Sequence, residues 1–202
     1  MIMSKIKIVG IGYDGAEYLE EFMKTTSFSV DTMAIVTNSF DLEKLHAKIK
    51  LNIAEGEEYG LDGGSPQRSE KLAFKHYDEI FKALSGAELV VTLSAIGDDD
   101  GGGVTPLVTN IAKDIGATSI TVACIPYTFE GPRRRKNSLD SLIKLNSAAD
   151  YVFAIESDYF IHSAEPKTPL SEAFKIVSDS VAENVNKILI CHHQLRIKDI
   201  CN

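Results

Sequence analysis

Apolar runs alternate with amphipathic stretches along the chain, which is the pattern of a sheet built from βα units. Lys5–Gly10 (KIKIVG) reads as a buried strand, followed by a glycine turn and a helix over Gly15–Lys24. Thr32–Thr37 (TMAIVT) predicts a second strand and Ile49–Ile53 a short edge strand. Between Glu55 and Gln67 the chain carries Gly56, Gly60, Gly63, Gly64 and Pro66, so this stretch predicts a loop. Arg68–Leu84 is strongly amphipathic and predicts one helix. Glu88–Ser94 then predicts a strand, Gly97–Gly103 a loop, Val104–Ile115 a helix and Thr118–Ile125 a strand. A helix containing Ser138–Asn146 and a last strand at Tyr151–Ile155 follow. A closing helix runs from Ser171 to Ile190, with apolar residues at Phe174, Val177, Val181, Val185 and Ile188. The expectation is a three-layer α/β domain over residues 1–190, with a mainly parallel sheet flanked by helices, and a tail over 191–202.

Composition adds limits rather than detail. A chain of 202 residues with 44% hydrophobic content supports one compact domain that needs no disulfide or metal staple. The formal net charge of −8 argues against general nucleic-acid affinity, which needs basic surface. The one basic run, Arg133–Lys136, is short and reads as a solvated helix face. Cys124, Cys191 and Cys201 form neither a CxxC nor a paired framework; Cys124 sits in an apolar run and is expected in the core. His192 and His193 lack an accompanying Cys/His set and read as part of a polar tail. The start, MIMSKIKIVG, has no signal-peptide layout, and no apolar stretch approaches the roughly 20 residues of a membrane span. These features predict a cytoplasmic protein without a membrane span.

Chemistry concentrates in the glycine loops. In parallel α/β sheets ligands bind at the carboxyl ends of strands, where glycine turns and helix N-termini bring N–H groups to an anion. Gly10-Ile-Gly-Tyr-Asp-Gly15 follows the first strand, and as a lone G-x-G-x-x-G it points first to a dinucleotide-binding enzyme. That reading also asks for an acidic residue at the end of the second strand, where Asn38 stands, with Asp41 three residues on. A second loop, Gly97-Asp-Asp-Asp-Gly-Gly-Gly103, and a third, Gly60-Leu-Asp-Gly-Gly-Ser-Pro66, change the picture. Together with TPLVTNIAKDIGA (Thr105–Ala117), TSITVACIPYTFEG (Thr118–Gly131), HYDEIFKALSGAELVVTL and SEAFKIVSDSV, they run nearly gap-free from Lys5 to Ile190. This set resembles the FtsZ/tubulin superfamily, whose FtsZ chains carry GVGGAGNN, GLGAGGNPE, the tubulin signature GGGTGTG and a PFTFEG motif.

The resemblance implies the Rossmann-like GTPase domain of that family and a set of nucleotide-contacting positions. Gly10, Gly12 and Gly15 correspond to the first phosphate-side turn, and Gly97, Gly101, Gly102 and Gly103 to the signature loop. Glu130 and Arg134 correspond to residues that contact the ribose and phosphates, and Phe174 to the aromatic that packs on guanine. Set against this, turn glycines serve φ > 0 geometry in many proteins, Glu130 taken alone reads as a surface carboxylate, and Phe174 as core.

The sequence also departs from the family pattern. Asp98, Asp99 and Asp100 stand where the signature has Gly-Gly-Thr, and would bring carboxylates to a triphosphate. One like-charge pair at about 4 Å costs roughly 4 kcal/mol at an effective dielectric of about 20. Three outcomes are open: impaired nucleotide binding, solvent-facing aspartates that only shape the turn, or a cation such as Mg²⁺ bridging carboxylate to phosphate. Tyr13 and Asp14 add bulk and charge in the first loop. Base recognition is altered too, with Ala16 and Glu17 in place of an asparagine pair, Ser157 in place of another asparagine, and Ser178 in place of an acidic or amide residue. The family's closing helix leads to an aspartate-bearing catalytic loop and a second domain, whereas here it leads to CHHQLRIKDICN. The resemblance therefore predicts a GTP- or GDP-binding protein of prokaryotic cell division or cytoskeletal filaments without a catalytic loop of its own. Its partners would be guanine nucleotide and FtsZ-type subunits or copies of itself. A metal-dependent GTPase and an interaction module that binds no nucleotide are the alternatives.

Overall fold

The computed structural model describes residues 6–37, 42–55, 65–162 and 169–201, with no side-chain detail for 161–162 and 196–201. Six strands form one sheet: β1 (Ile6–Ile11), β2 (Asp31–Val36), β3 (Ile49–Asn52), β4 (Leu89–Ala95), β5 (Thr118–Ile125) and β6 (Tyr151–Glu156). Their order is β3-β2-β1-β4-β5-β6, and every pairing is parallel. The three-layer α/β architecture expected from the βα alternation is present, with the short strand at Ile49 at an edge as predicted.

Strand alternation divides the core between the two faces of the sheet. Ile6 and Ile8 of β1 point to one face, where Leu19 and Phe22 of α1 (Gly12–Thr25) and Val181 and Val185 of α7 (Leu170–Cys201) cover the sheet. Val9 and Ile11 point to the other face, packed by α2 (Pro66–Lys75), α3 (Tyr77–Leu84) and α4 (Asp99–Asp114) through Leu72, Leu84, Val108 and Ile111. A smaller cluster joins Ile125 to Leu145 of α5 (Pro132–Ala148). The one-turn α6 (Asp158–His162) follows β6. Because β2 and β4 flank β1 on opposite sides, the chain reverses its winding direction at β1, and a crevice opens at the carboxyl ends of β1 and β4.

Four local expectations are corrected. The first glycine segment is not an extended turn: β1 runs to Ile11 and α1 starts at Gly12, whose φ of 73° makes the whole connection. Arg68–Leu84 is two helices rather than one, broken at His76 (φ −101°, ψ 16°). That conformation lies close enough to helical to leave the apolar periodicity intact across the break. The closing helix does not stop at Ile190; α7 continues through the expected tail to Cys201.

The fourth correction matters most for function. The glycine run Gly101–Gly103 is the first part of α4, not a loop. A Cβ on Gly101 would lie 1.7 Å from the Ala95 carbonyl oxygen, and one on Gly103 would lie 2.1 Å from that of Pro66. The glycines therefore let α4 seat directly on β4 and α2. The segment around Gly60–Gly64, which contributes the third glycine loop, lies outside the described residues, as do Asn38 and Asp41.

Alanine raises helix propensity by about 1 kcal/mol over glycine, but at Gly101 the steric clash is with backbone and should dominate. Gly101→Ala is expected to destabilise the domain by about 2 kcal/mol or more in urea unfolding. Gly116→Ala serves as the comparison, since Gly116 has φ 78° and open space around it; its cost should be about 1–2 kcal/mol, from the left-handed backbone alone. Unfolding of Gly101→Ala at the wild-type midpoint would contradict the close seating of α4.

Candidate functional site

The carboxyl ends of β1, β2, β4, β5 and β6 surround a cleft of about 350 Å³. The start of α1 supplies Tyr13 and Asp14, and the end of β2 supplies Thr37. The β4–α4 junction contributes Asp98, Asp99 and Asp100. Past β5 come Pro126, Tyr127 and Glu130; α5 adds Arg134, the end of β6 Ser157, and α7 Phe174. Seven of the nucleotide- or metal-site candidates from the sequence thus converge here: Asp98, Asp99, Asp100, Glu130, Arg134, Ser157 and Phe174. They are separated by up to 76 positions in the chain, and only the parallel topology brings them together.

The glycines serve the frame rather than the lining. A Cβ on Gly10 would lie 2.4 Å from the Gly15 carbonyl oxygen, and one on Gly15 would lie 2.4 Å from that of Leu93. These two residues let the start of α1 press against β1 and β4. Gly102 packs toward Ser141 and Pro66, away from the cleft. Gly97 has φ 115°, and its peptide directs Asp98 to the cap of α4. Ser178 is buried and donates its hydroxyl to the Phe174 carbonyl (3.2 Å), so it is used within its own helix.

The three aspartates play three different parts. Asp98 is the N-cap of α4, and its Oδ1 accepts the Gly101 N–H at 2.8 Å. Asp100 is buried and is satisfied from other elements, accepting from the Thr37 hydroxyl (2.5 and 2.6 Å) and the Ser69 hydroxyl (3.0 Å). It ties the end of β2 and the first turn of α2 to α4. Asp99 is half-buried, with Arg133, Arg134 and Arg68 as the nearby positive charges. None of the three is a freely solvated turn residue. Nor do they converge as a cage: among the described residues no group of three or more His, Cys, Asp or Glu side chains is placed to hold a metal ion.

Electrostatically the cleft is acidic. Its described lining carries Asp14, Asp98, Asp99, Asp100 and Glu130 against one cation, Arg134. Arg134 forms an ion pair with Glu130 at 2.5 Å, and Glu130 also accepts the Tyr127 N–H at 2.8 Å. Within the basic run, Arg134 therefore turns into the cleft, while Arg135 pairs with Glu156 at 2.8 Å. Burial, with the crowding of carboxylates second, raises their proton affinity. Burial, then the charge of Asp100, pushes Asp98 up to about 8. Burial, then Glu17 and Glu130, pushes Asp14 to about 6 against the opposing pull of Arg134.

The opposite wall is aromatic. Phe174 is 42% exposed and meets Tyr127 edge-on at 5.5 Å between ring centroids, and Tyr127 stacks on Phe129 at 4.9 Å. The Tyr127 hydroxyl donates to the Ala173 carbonyl (3.2 Å), fixing the β5 end to α7. Ser157 is only 4% exposed, and its hydroxyl makes no hydrogen bond among the described residues. Sequence reasoning missed Thr37 and Tyr127. Thr37 was legible as the last residue of a predicted parallel strand, and Tyr127 lies inside the PYTFEG segment.

The chain matches the model of the Tubulin/FtsZ family, GTPase domain, over residues 5–165. It is 32% identical over 188 residues to "Cell division protein FtsZ 1" of Pyrococcus abyssi, covering 93% of this chain and 50% of the relative. It is 34% identical over 186 residues to "Cell division protein FtsZ" of Methanothermobacter thermautotrophicus, covering 92% and 49%. The chain thus spans about half the length of these curated relatives. Among solved structures it is similar to the empty FtsZ dimer of M. jannaschii, with a TM-score of 0.83 and 29% identity over 91% of this chain and 53% of that one. CetZ from Methanosaeta thermophila shares the fold at a TM-score of 0.77 and 19% identity, over 93% of this chain and 54% of that one. Among the described residues no helix is long and apolar enough to cross a membrane. The family-model match over most of the chain leads to one conclusion: this chain belongs to the Tubulin/FtsZ family, as a homologue of its GTPase domain.

Proposed function

We propose that the cleft binds a guanine nucleoside phosphate, GTP or GDP, weakly when its carboxylates are fully ionised, within a protein of cell division or cytoskeletal filaments. The observation that carries this reading is the division of the cleft into two ends at the switch point of the sheet. One end offers a helix N-terminus and Arg134, suited to phosphate. The other offers the exposed face of Phe174 beside Tyr127, suited to a planar base. Ser157, buried beside the cleft with an unused hydroxyl, supplies a polar contact a ligand can complete. The printed names of the relatives, cell division proteins of the FtsZ type, support the cellular setting. Self-association or pairing with FtsZ-type subunits is part of the same proposal.

Five carboxylates against one paired arginine set the limit on affinity. Two routes relieve it. A divalent cation such as Mg²⁺ can be shared between one carboxylate and the ligand's phosphates, which suits an ion that keeps most of its own waters and does not need a protein cage. Protonation is the other route. Asp14 and Asp98 lie above the ordinary carboxylate range, at about 6 and about 8, so lowering the pH through these values neutralises them. An anionic ligand favours the protonated, less negative cleft, so its affinity rises as pH falls through these values.

Calorimetric titration with GTP and GDP should therefore show tighter binding with Mg²⁺ than without, and tighter binding at pH 6 than at pH 8. Absence of binding in every condition would instead favour an interaction module. The two ends of the cleft should also separate in variants. Phe174→Ala is expected to weaken GDP binding about tenfold, within the roughly 1–3 kcal/mol of base–aromatic stacking, and to leave inorganic tripolyphosphate unaffected. Arg134→Ala should weaken both by about tenfold or more, as loss of a charge-assisted contact predicts. Equal effects of the two variants on both ligands would contradict the assignment of the ends.

A further inference from the structure

Taking the cleft as a nucleoside-phosphate site, on which this inference rests, we propose that Asp98 is an autoinhibitory residue. Its carboxylate occupies the anion position at the N-terminus of α4 and has to leave before a ligand phosphate takes the same donor. The first turn of a helix presents N–H groups without intrahelical partners, and these are what a phosphate engages. In α4 the Gly102 N–H already reaches the Asp98 carbonyl at 3.3 Å. The Gly101 N–H is held by Asp98 Oδ1 at 2.8 Å. The internal carboxylate thus does for this helix what an external anion would do.

The surroundings make that occupation a barrier and not only a cap. Asp98 is faced by Asp14 from α1, by Asp100 from its own helix and by Arg134 from α5. Asp99 is next to it in the chain, and Arg134 is already engaged by Glu130. A phosphate approaching Gly101 N–H therefore meets an acceptor in its place and a second negative charge beside it. Departure of Asp98 is feasible because its carboxylate keeps one hydrogen bond among the described residues. Asp100 differs, being buried and fixed by Thr37 and Ser69. Ser157, with its unused hydroxyl on the same cleft, is the independent sign that a ligand completes the site.

The test uses the full chain and two probes, GDP and inorganic tripolyphosphate, titrated without Mg²⁺. Asp98→Asn removes the charge but keeps an oxygen that can cap Gly101. Asp98→Gly removes both, and glycine is well tolerated at an N-cap. Occupation predicts that D98G binds both probes about tenfold or more tightly than the wild type, with D98N between the two. Equal affinities of wild type and variants for a wild type that does bind GDP overturn the inference and leave the nucleotide reading intact. Equal gains in D98N and D98G also overturn it, because charge alone would then account for the effect. Weaker binding in D98G makes Asp98 a ligand-holding group instead of a competitor. Failure of every protein to bind GDP overturns the nucleotide reading and this inference together. If D98G does not fold by circular dichroism, Asp98→Ala, which also removes both charge and oxygen, takes its place under the same criteria.

Discussion

The contact between the first turn of α4 and the end of β4 governs the rest of the structure. Gly101 sits so close to the Ala95 carbonyl that no side chain fits between them. The helix is therefore held against the sheet by backbone, and its N-terminus is fixed at the switch point between β1 and β4. Gly103 repeats the arrangement against α2, and Gly10 and Gly15 repeat it between α1 and the two central strands. Close packing of this kind leaves little room for relaxation. It explains why residues from five strand ends can share one cleft of modest size.

The same closeness sets the electrostatics. Once α4 is fixed, the residues before and within its first turn cannot spread into solvent, and three aspartates there must find separate solutions. Asp98 takes the helix cap, Asp100 is satisfied by the hydroxyls of Thr37 and Ser69, and Asp99 lies toward the arginines of α2 and α5. Asp98 uses a helix N-terminal N–H, and Asp100 uses hydroxyls of two other elements. The fold thus keeps a helix N-terminus at the switch point while satisfying part of it with its own carboxylate. An anion entering such a cleft has to displace or neutralise these carboxylates.

Much of the architecture was legible because strand and helix periods are local. The six strands could be read from their apolar runs, and Thr118–Ile125 and Tyr151–Ile155 lie within a residue of their observed bounds. What misled was residue chemistry whose cause is tertiary. A run of three glycines after three aspartates reads as a loop, since glycine favours turns; here it is helical because a neighbouring carbonyl needs the space. The break at His76 was invisible because it leaves the apolar spacing undisturbed. For the site, the family resemblance pointed to Glu130, Arg134, Ser157 and Phe174, which do converge, and to Ser178, which does not. It could not show that Asp98 caps its own helix while Asp100 is tied to Thr37 and Ser69, because those partners lie 63 and 31 positions away. Thr37 was overlooked for the same reason, since nothing in TMAIVT marks its hydroxyl as a partner for a distant carboxylate.

The most direct measurement is the amide signal of Gly101 in ¹H–¹⁵N correlation spectra of the labelled chain during titration with GDP and Mg²⁺. If phosphate takes the N-terminus of α4, the Gly101 amide shifts saturably, in step with signals from residues near Phe174. If the spectra show GDP saturating the protein while Gly101 and its helical neighbours stay unmoved, the α4 terminus is not a phosphate site. The assignment of the cleft would then be wrong at its most important point.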